Sequence, residues 1–409
     1  MATALATTAP GQPPSQDPRD QFLAFVNDQA THDVVDQVVG ELMLPHASLR
    51  KGDARAAVRH LGEHRSPKLL LIDLSGSEMP LSDINALADV CEPGVTVVAI
   101  GEKNDCVLFR DLLQHGVSDY LVKPITPSLL HRAVLAATDQ TVSVKGGAKL
   151  GKLVAVMGTR GGAGTTMIAS SLAWLIAEER RRRVALVDLD LQFGTVALAL
   201  DLEPSHGLRE ALENPNRIDG LLMDRILVQH SERLFVLSAE ESPDETLLLD
   251  YAALELLLTE LRSKFHYVVV DLPRTPNPCT QQVVQTATDL LLVTDLSLAG
   301  MRDTMRFAGL MPTVNASCQQ LVIANRVGEH RQGEMPRQEF EKGINRKVDF
   351  SLPFDSRTVA TATNFGQPVA ATRGPVATGL KDIADRLCGP TPGSAPQRSK
   401  VWQKLLKKG

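Results

Sequence analysis

The chain has 409 residues, of which 43% are hydrophobic, 22% charged and only 4% aromatic, and its 43 Lys and Arg against 48 Asp and Glu leave a net charge of -5. Such an apolar fraction excludes a wholly disordered chain, and the length suggests two or three domains. The mild acidity excludes a uniformly basic nucleic-acid coat, so affinity for DNA or anionic lipid would have to come from a local patch.

Residues 1–20 are Ala-, Thr-, Pro- and Gln-rich without periodicity and read as a disordered leader, with neither the basic start nor the apolar core of a signal peptide. Over residues 21–140, apolar runs at 22–26, 68–74, 95–100 and 119–122 predict strands. Helical patterns at 53–64, 81–90 and 105–115 lie between them. This alternation implies βαβ units and a parallel sheet. A Gly- and Lys-containing link covers 141–150.

From 151 to 388 a second set of apolar runs predicts strands at 152–157, 183–188, 234–238, 267–271, 290–294 and 321–325, with clear helices at 165–179 and 247–261. Nearly continuous apolar strands are expected where both faces of a sheet are covered. Residues 389–409 form a Pro/Gly/Ser linker and a basic tail. On a helical wheel Val401, Trp402, Leu405 and Leu406 share one face and Lys404, Lys407 and Lys408 the other, a pattern suited to an anionic membrane or a partner groove. No run reaches the 18 or so apolar residues of a spanning helix. Five scattered cysteines without a CxxC pair suggest a reducing, cytoplasmic compartment, and no metal motif is read among the ten histidines. The arginine run 180–183 reads as a solvated helix end.

The sharpest chemical feature follows the strand 152–157. Gly158, Thr159, Arg160, Gly161, Gly162, Ala163, Gly164, Thr165 and Thr166 lead into a long helix. Glycines let successive N–H groups converge, and a helix N-terminus adds partial positive charge, so this turn suits phosphates. It resembles the deviant Walker A loop of the MinD/ParA ATPases, Lys-Gly-Gly-x-Gly-Lys-Thr. Arg160 stands at that family's signature lysine, Thr165 replaces the P-loop lysine, and Thr166 keeps the hydroxyl that would hold Mg²⁺. The missing charge leaves ATP binding feasible and weakens the case for hydrolysis.

The resemblance extends over roughly residues 150–388. It implies that Asp188 and Asp271 belong to the Mg²⁺ shell, that Asp190 orients the attacking water and that Arg160 reaches phosphate across a homodimer. It also implies that Asn325 and Arg326, with Pro353 and Asp355, lie on the adenine side, and that the pattern 362–368 lies near the base. ATP and Mg²⁺ are the cofactors so implied.

In the first half, Asp28 after the strand 22–26, Asp73 within 68–74 and Lys123 before Pro124 resemble a response-regulator receiver. Asn27 and Gly101 stand where an acid and a hydroxyl are expected, which favours a non-phosphorylated docking domain. A degenerate receiver-like (flavodoxin-like) α/β domain followed by a P-loop NTPase domain of MinD/ParA type is similar to the CpaE/TadZ family of Tad (Flp) pilus assembly proteins. That resemblance implies a spatial organiser at the membrane's inner face or cell pole, with pilus and secretion machinery, including the secretion ATPase, as partners. Without interleaved aromatic residues near the arginine run, DNA is not expected as a partner. An active ParA-type partitioning ATPase and a nucleotide-free scaffold stay open as alternatives.

Overall fold

The computed structural model describes residues 19–139 and 150–389, apart from positions 206, 219, 246, 248, 276 and 331. Nearly all of the expected leader, link and tail, including Val401, Trp402, Leu405 and Leu406, lies outside the described residues. The described chain divides into two compact units.

The first unit carries β1 (Phe22–Val26), β2 (Ala47–Lys51), β3 (Leu69–Asp73), β4 (Thr96–Gly101) and β5 (Val117–Val122) in a five-stranded sheet of order β2-β1-β3-β4-β5. All four pairings are parallel. β1 is an unbroken apolar run because both its faces are covered. Phe22, Ala24 and Val26 join one core layer with Val35 and Val38, whereas Leu23 and Phe25 join the other with Ala57 and Leu61. β2, Ala-Ser-Leu-Arg-Lys, is an edge strand with no fully buried residue, and the sequence reading names no strand there. The strand order reverses between β1 and β3, the place where such sheets open a crevice beyond their carboxyl ends.

The second unit carries β6 (Lys152–Gly158), β7 (Val184–Asp188), β8 (Val228–Gln229), β9 (Leu234–Leu237), β10 (Tyr267–Leu272), β11 (Asp289–Thr294), β12 (Gln319–Val327) and β13 (Phe350–Pro353). Its eight-stranded order is β13-β12-β11-β6-β10-β7-β9-β8, with only the short β8 antiparallel to its neighbour. Along β6, Leu153, Ala155 and Met157 join the layer that holds Leu254, Leu257 and Leu261 of the helix Tyr251–Lys264. Val154 and Val156 join the opposite layer with Ile168 and Leu172 of the helix Thr165–Glu178. The helix expected over 247–261 starts later, at Tyr251, where the Asp250 carboxylate accepts from the Ala252 N–H at 2.8 Å and caps it.

The structure departs from the sequence expectations at the arginine run and among the histidines. The arginine run is not simply solvated: Arg180 is buried and donates to Asp385 at 2.5 Å, and the Arg183 guanidinium lies 5.1 Å from the ring centres of both Phe235 and Phe265. Nearby, Lys152 Nζ donates to the Leu387 carbonyl at 2.9 Å, tying the start of β6 to the end of the helix Pro375–Cys388. The histidines do contain one HxxxH spacing, His60 and His64, which the sequence reading passed over. Their rings stack at 4.2 Å, and no group of three or more His, Cys, Asp or Glu able to hold a metal occurs among the described residues.

Candidate functional site

The phosphate-type loop is built by the abrupt passage from β6 to the helix Thr165–Glu178. Gly162 and Gly164 take φ of 74° and 89°, the left-handed region that favours glycine. A Cβ on Gly164 would also stand 2.4 Å from the Asn325 amide nitrogen. Gly164 is the N-cap, and no side chain caps this helix, which leaves first-turn N–H groups directed at the loop's concavity. Thr165 turns back over the strand end, because a Cβ on Gly158 would meet its hydroxyl at 2.6 Å. Thr159 is fully buried, and its hydroxyl has no hydrogen-bond partner among the described residues.

Register brings the acidic edge together. Asp271 of β10 pairs directly with Asp188 of β7, and both carboxylates are buried. Thr166 Oγ1 donates to Asp271 Oδ2 at 2.5 Å. Asp188 accepts from the N–H groups of Asp190 and Val196, each at 3.1 Å. Asp190 accepts from the Phe193 N–H at 3.1 Å and closes the following turn. Burial pushes the Asp188 carboxyl up to about 6, with the Asp190 charge adding to it. Burial, then the Asp188 charge, likewise holds the Asp271 carboxyl well above the usual range. Two buried acids and a hydroxyl on one edge, with no basic side chain bonded to them among the described residues, are hard oxygen donors suited to Mg²⁺. Thr166, Asp188 and Asp271 would hold such an ion, which would neutralise charge on bound phosphates.

Arg160 is half-exposed, and its Nη1 donates to Asp295 Oδ2 and to Ser297 Oγ, each at 3.0 Å. Asn325 is buried and donates to the Ala163 carbonyl at 2.8 Å. Arg326 donates to the Gly162 carbonyl at 3.1 Å and lies over the Phe354 ring at 5.6 Å. Pro353 ends β13, and Asp355 caps the helix Ser356–Asn364 through the Thr358 N–H at 3.0 Å. A cavity of about 330 Å³ adjoins residues 162–166 and is further lined by Met167, Ser170, Thr195, Ala199, Thr363, Gln367 and Val369. The sequence reading placed the pattern 362–368 near the base without singling out Thr363 or Gln367. It had no signal at all for Thr195 and Ala199.

In the first unit Asp28, Asp73 and Lys123 also meet. Lys123 Nζ donates to Asp28 Oδ2 at 2.5 Å and to Asp73 Oδ2 at 2.6 Å. Asp73 accepts further bonds from the N–H groups of Asn27 and Ser75, at 3.0 and 2.9 Å. Asp28 accepts from the Thr31 N–H and hydroxyl, both at 2.8 Å, and so caps the helix Gln29–Leu42. Burial would raise both carboxyls, but the Lys123 hydrogen bonds and the remaining donors outweigh it. They bring Asp28 down to about 2 and hold Asp73 below its usual value. The Lys123 ammonium already lies between the two carboxylates and neutralises their charge, so this cluster does not fit a divalent cation while that pairing stands. At Gly101 an added Cβ would stand 2.4 Å from the Tyr120 hydroxyl, which donates to the Lys103 carbonyl at 3.0 Å.

The glycine loop, its hydroxyl and the paired acids on a parallel sheet define a P-loop NTPase domain of the MinD/ParA type, in a chain that also carries a five-stranded parallel α/β unit. The family model for the cellulose biosynthesis protein BcsQ matches residues 151–301. The septum site-determining protein MinD of Bacillus subtilis is 22% identical over 246 residues, 59% of this chain and 90% of that protein. The structure of the septum site-determining protein MinD from Pyrococcus horikoshii, complexed with Mg-ADP, is 18% identical. It superposes with a TM-score of 0.50 over 58% of this chain and 96% of that one. The crystal structure of the pilus assembly protein CpaE from Caulobacter crescentus is 34% identical and covers 29% of this chain and 93% of that one, with a TM-score of 0.27.

Proposed function

We propose that the chain is an ATP- and Mg²⁺-binding, dimerising spatial organiser that hydrolyses ATP slowly or not at all and serves assembly of a Tad (Flp) pilus or a related secretion system. The observation that carries the nucleotide reading is the retained edge Thr166–Asp271–Asp188 beside a loop whose lysine position holds Thr165. A metal edge without that lysine supports binding over turnover, because the lysine acts where charge moves in the transition state. The pilus part of the reading rests on the receiver-like unit preceding such a domain. In it, the chain is cytoplasmic and peripheral at the membrane's inner face or the pole. Its partners are a second copy and the secretion machinery, including the secretion ATPase, with Val401, Trp402, Leu405 and Leu406 as the membrane or partner contact.

Titration calorimetry with Mg·ATP and a phosphate-release assay test the nucleotide part. Wild type is expected to bind ATP with little turnover. Thr165→Lys should bind roughly 10- to 150-fold more tightly, the worth of one charge-assisted hydrogen bond, and gain turnover. Rapid wild-type hydrolysis stimulated by DNA would instead establish a partitioning ATPase, and absence of ATP and ADP binding at millimolar concentrations a scaffold.

A further inference from the structure

In the first unit the helix Cys106–Gln114 is held to the sheet by little. Of its nine residues only Leu112 is buried, whereas Val107 is 66% exposed and Phe109 and Leu113 are 38% exposed each. The segment leading into it, residues 102–105, is exposed throughout. Asp105 accepts from the Val107 N–H at 2.7 Å, but that cap is local to the helix. Residues 102–104 take part in one hydrogen bond among the described residues, from the Tyr120 hydroxyl to the Lys103 carbonyl at 3.0 Å. Elements with so few buried contacts open locally before the whole domain unfolds, so a single tie carries weight here.

Tyr120 is deeply seated at the other end of that tie. It lies on β5, 6% exposed, in the same apolar layer as Leu70, Ile72 and Leu112. Its hydroxyl has room because β4 ends in Gly101. A Cβ at that position would stand 2.4 Å from the hydroxyl and 2.9 Å from the ring atom Cε2. Gly101 is not among the residues in the left-handed region, so the glycine supplies space and not an unusual turn. Burial raises the Tyr120 phenol above its ordinary value, which keeps the hydroxyl a donor at neutral pH.

The same glycine separates the helix from the acid edge. Asp73 of β3 pairs with Ile100, the residue before Gly101, and the Lys123 N–H donates to the Gly101 carbonyl at 2.8 Å. Position 101 thus lies between the Asp28–Asp73–Lys123 cluster and the segment 102–105, and it has no side chain to connect them.

We propose that Tyr120 is a fixed bolt: it fills the space over Gly101, holds the Lys103 carbonyl, and keeps the segment 102–105 and the start of the helix Cys106–Gln114 in one position whatever the state of the acid cluster. The exposed face of that helix is then displayed in a single form, with no signal passing to it from Asp73.

Hydrogen exchange of the full chain, read in peptides covering 102–109 against peptides from β1 and β3, tests this. Tyr120→Phe keeps the ring and removes the bond, and should speed exchange at 102–109 about three- to ten-fold, the worth of one neutral hydrogen bond, with β1 and β3 unchanged. Gly101→Ala should displace the ring and speed the same peptides at least as much. Asp73→Asn, which keeps the size and an acceptor, should leave 102–109 unchanged relative to β1 and β3. No change at 102–109 in either of the first two variants, or a change only in step with the strands, would overturn the bolt. A change at 102–109 in Asp73→Asn that the strands do not share would overturn its independence of the acid edge.

Discussion

Both units place two carboxylates at one edge of a parallel sheet, yet they treat the charge in opposite ways. In the first unit Lys123 lies between Asp28 and Asp73 and holds both carboxyls below their usual range. In the second, Asp188 and Asp271 stand side by side, bonded among the described residues only by a hydroxyl and backbone N–H groups, and both carboxyls are raised. An acid cluster that carries its own cation is closed. One that lacks it is built to receive a cation from outside. The difference comes down to one lysine, and sheet topology alone would not reveal it.

The largest effect is expected from opening the closed cluster. Lys123→Met leaves the buried Asp73 unpaired and should destabilise the first unit by about 3–5 kcal/mol, read by hydrogen exchange of its peptides. The pH dependence should change sign as well. In wild type both carboxyls are lowered on folding, so their stabilisation is present above about pH 4 and is lost as the pH falls through the folded-state values, about 2 for Asp28. In the variant the uncompensated acids favour the proton, so protection should instead improve between pH 7 and 5.

A smaller effect tests the open cluster. Asp271→Asn keeps an acceptor for Thr166 and removes one of two adjacent buried charges. In metal-free buffer it should raise stability by about 1–3 kcal/mol while abolishing the Mg²⁺-dependent part of ATP binding. Loss of stability would show that the acids are compensated in some other way. The smallest effect would come from converting the first cluster towards the second. Asn27→Asp adds an acid beside Asp73, and millimolar Mg²⁺ should then stabilise that unit by roughly 0.5–1 kcal/mol, whereas wild type should show no response.

Much of this was legible in the sequence for a physical reason. Strands covered on both faces become continuous apolar runs, and their carboxyl ends carry the acids, so Asp73, Asp188 and Asp271 stood out at strand ends. Less legible were the features that depend on distant pairing. β2 is a half-exposed edge strand whose Ser, Arg and Lys show no apolar pattern. Arg180 reads as a surface charge until Asp385, 205 residues away, is placed against it. Thr195 and Gln367 are ordinary polar residues that only the packing of separate helices brings to one cavity. Lys123 was recognised from a resemblance, but its hold on both acids was not, because spacing carries no information on where an ammonium points.

The bond from Lys152 to Leu387 has a mechanical consequence. β6 begins at that bond and ends at Gly158, where the phosphate loop starts. At about 3.3 Å per residue the two ends are roughly 20 Å apart. Arg180, just past the end of the helix that starts at the loop, grips Asp385 two residues before the same anchor. A pull on the chain beyond Gly389 therefore loads β6 and the Thr165–Glu178 helix at once, the two elements between which the loop is strung.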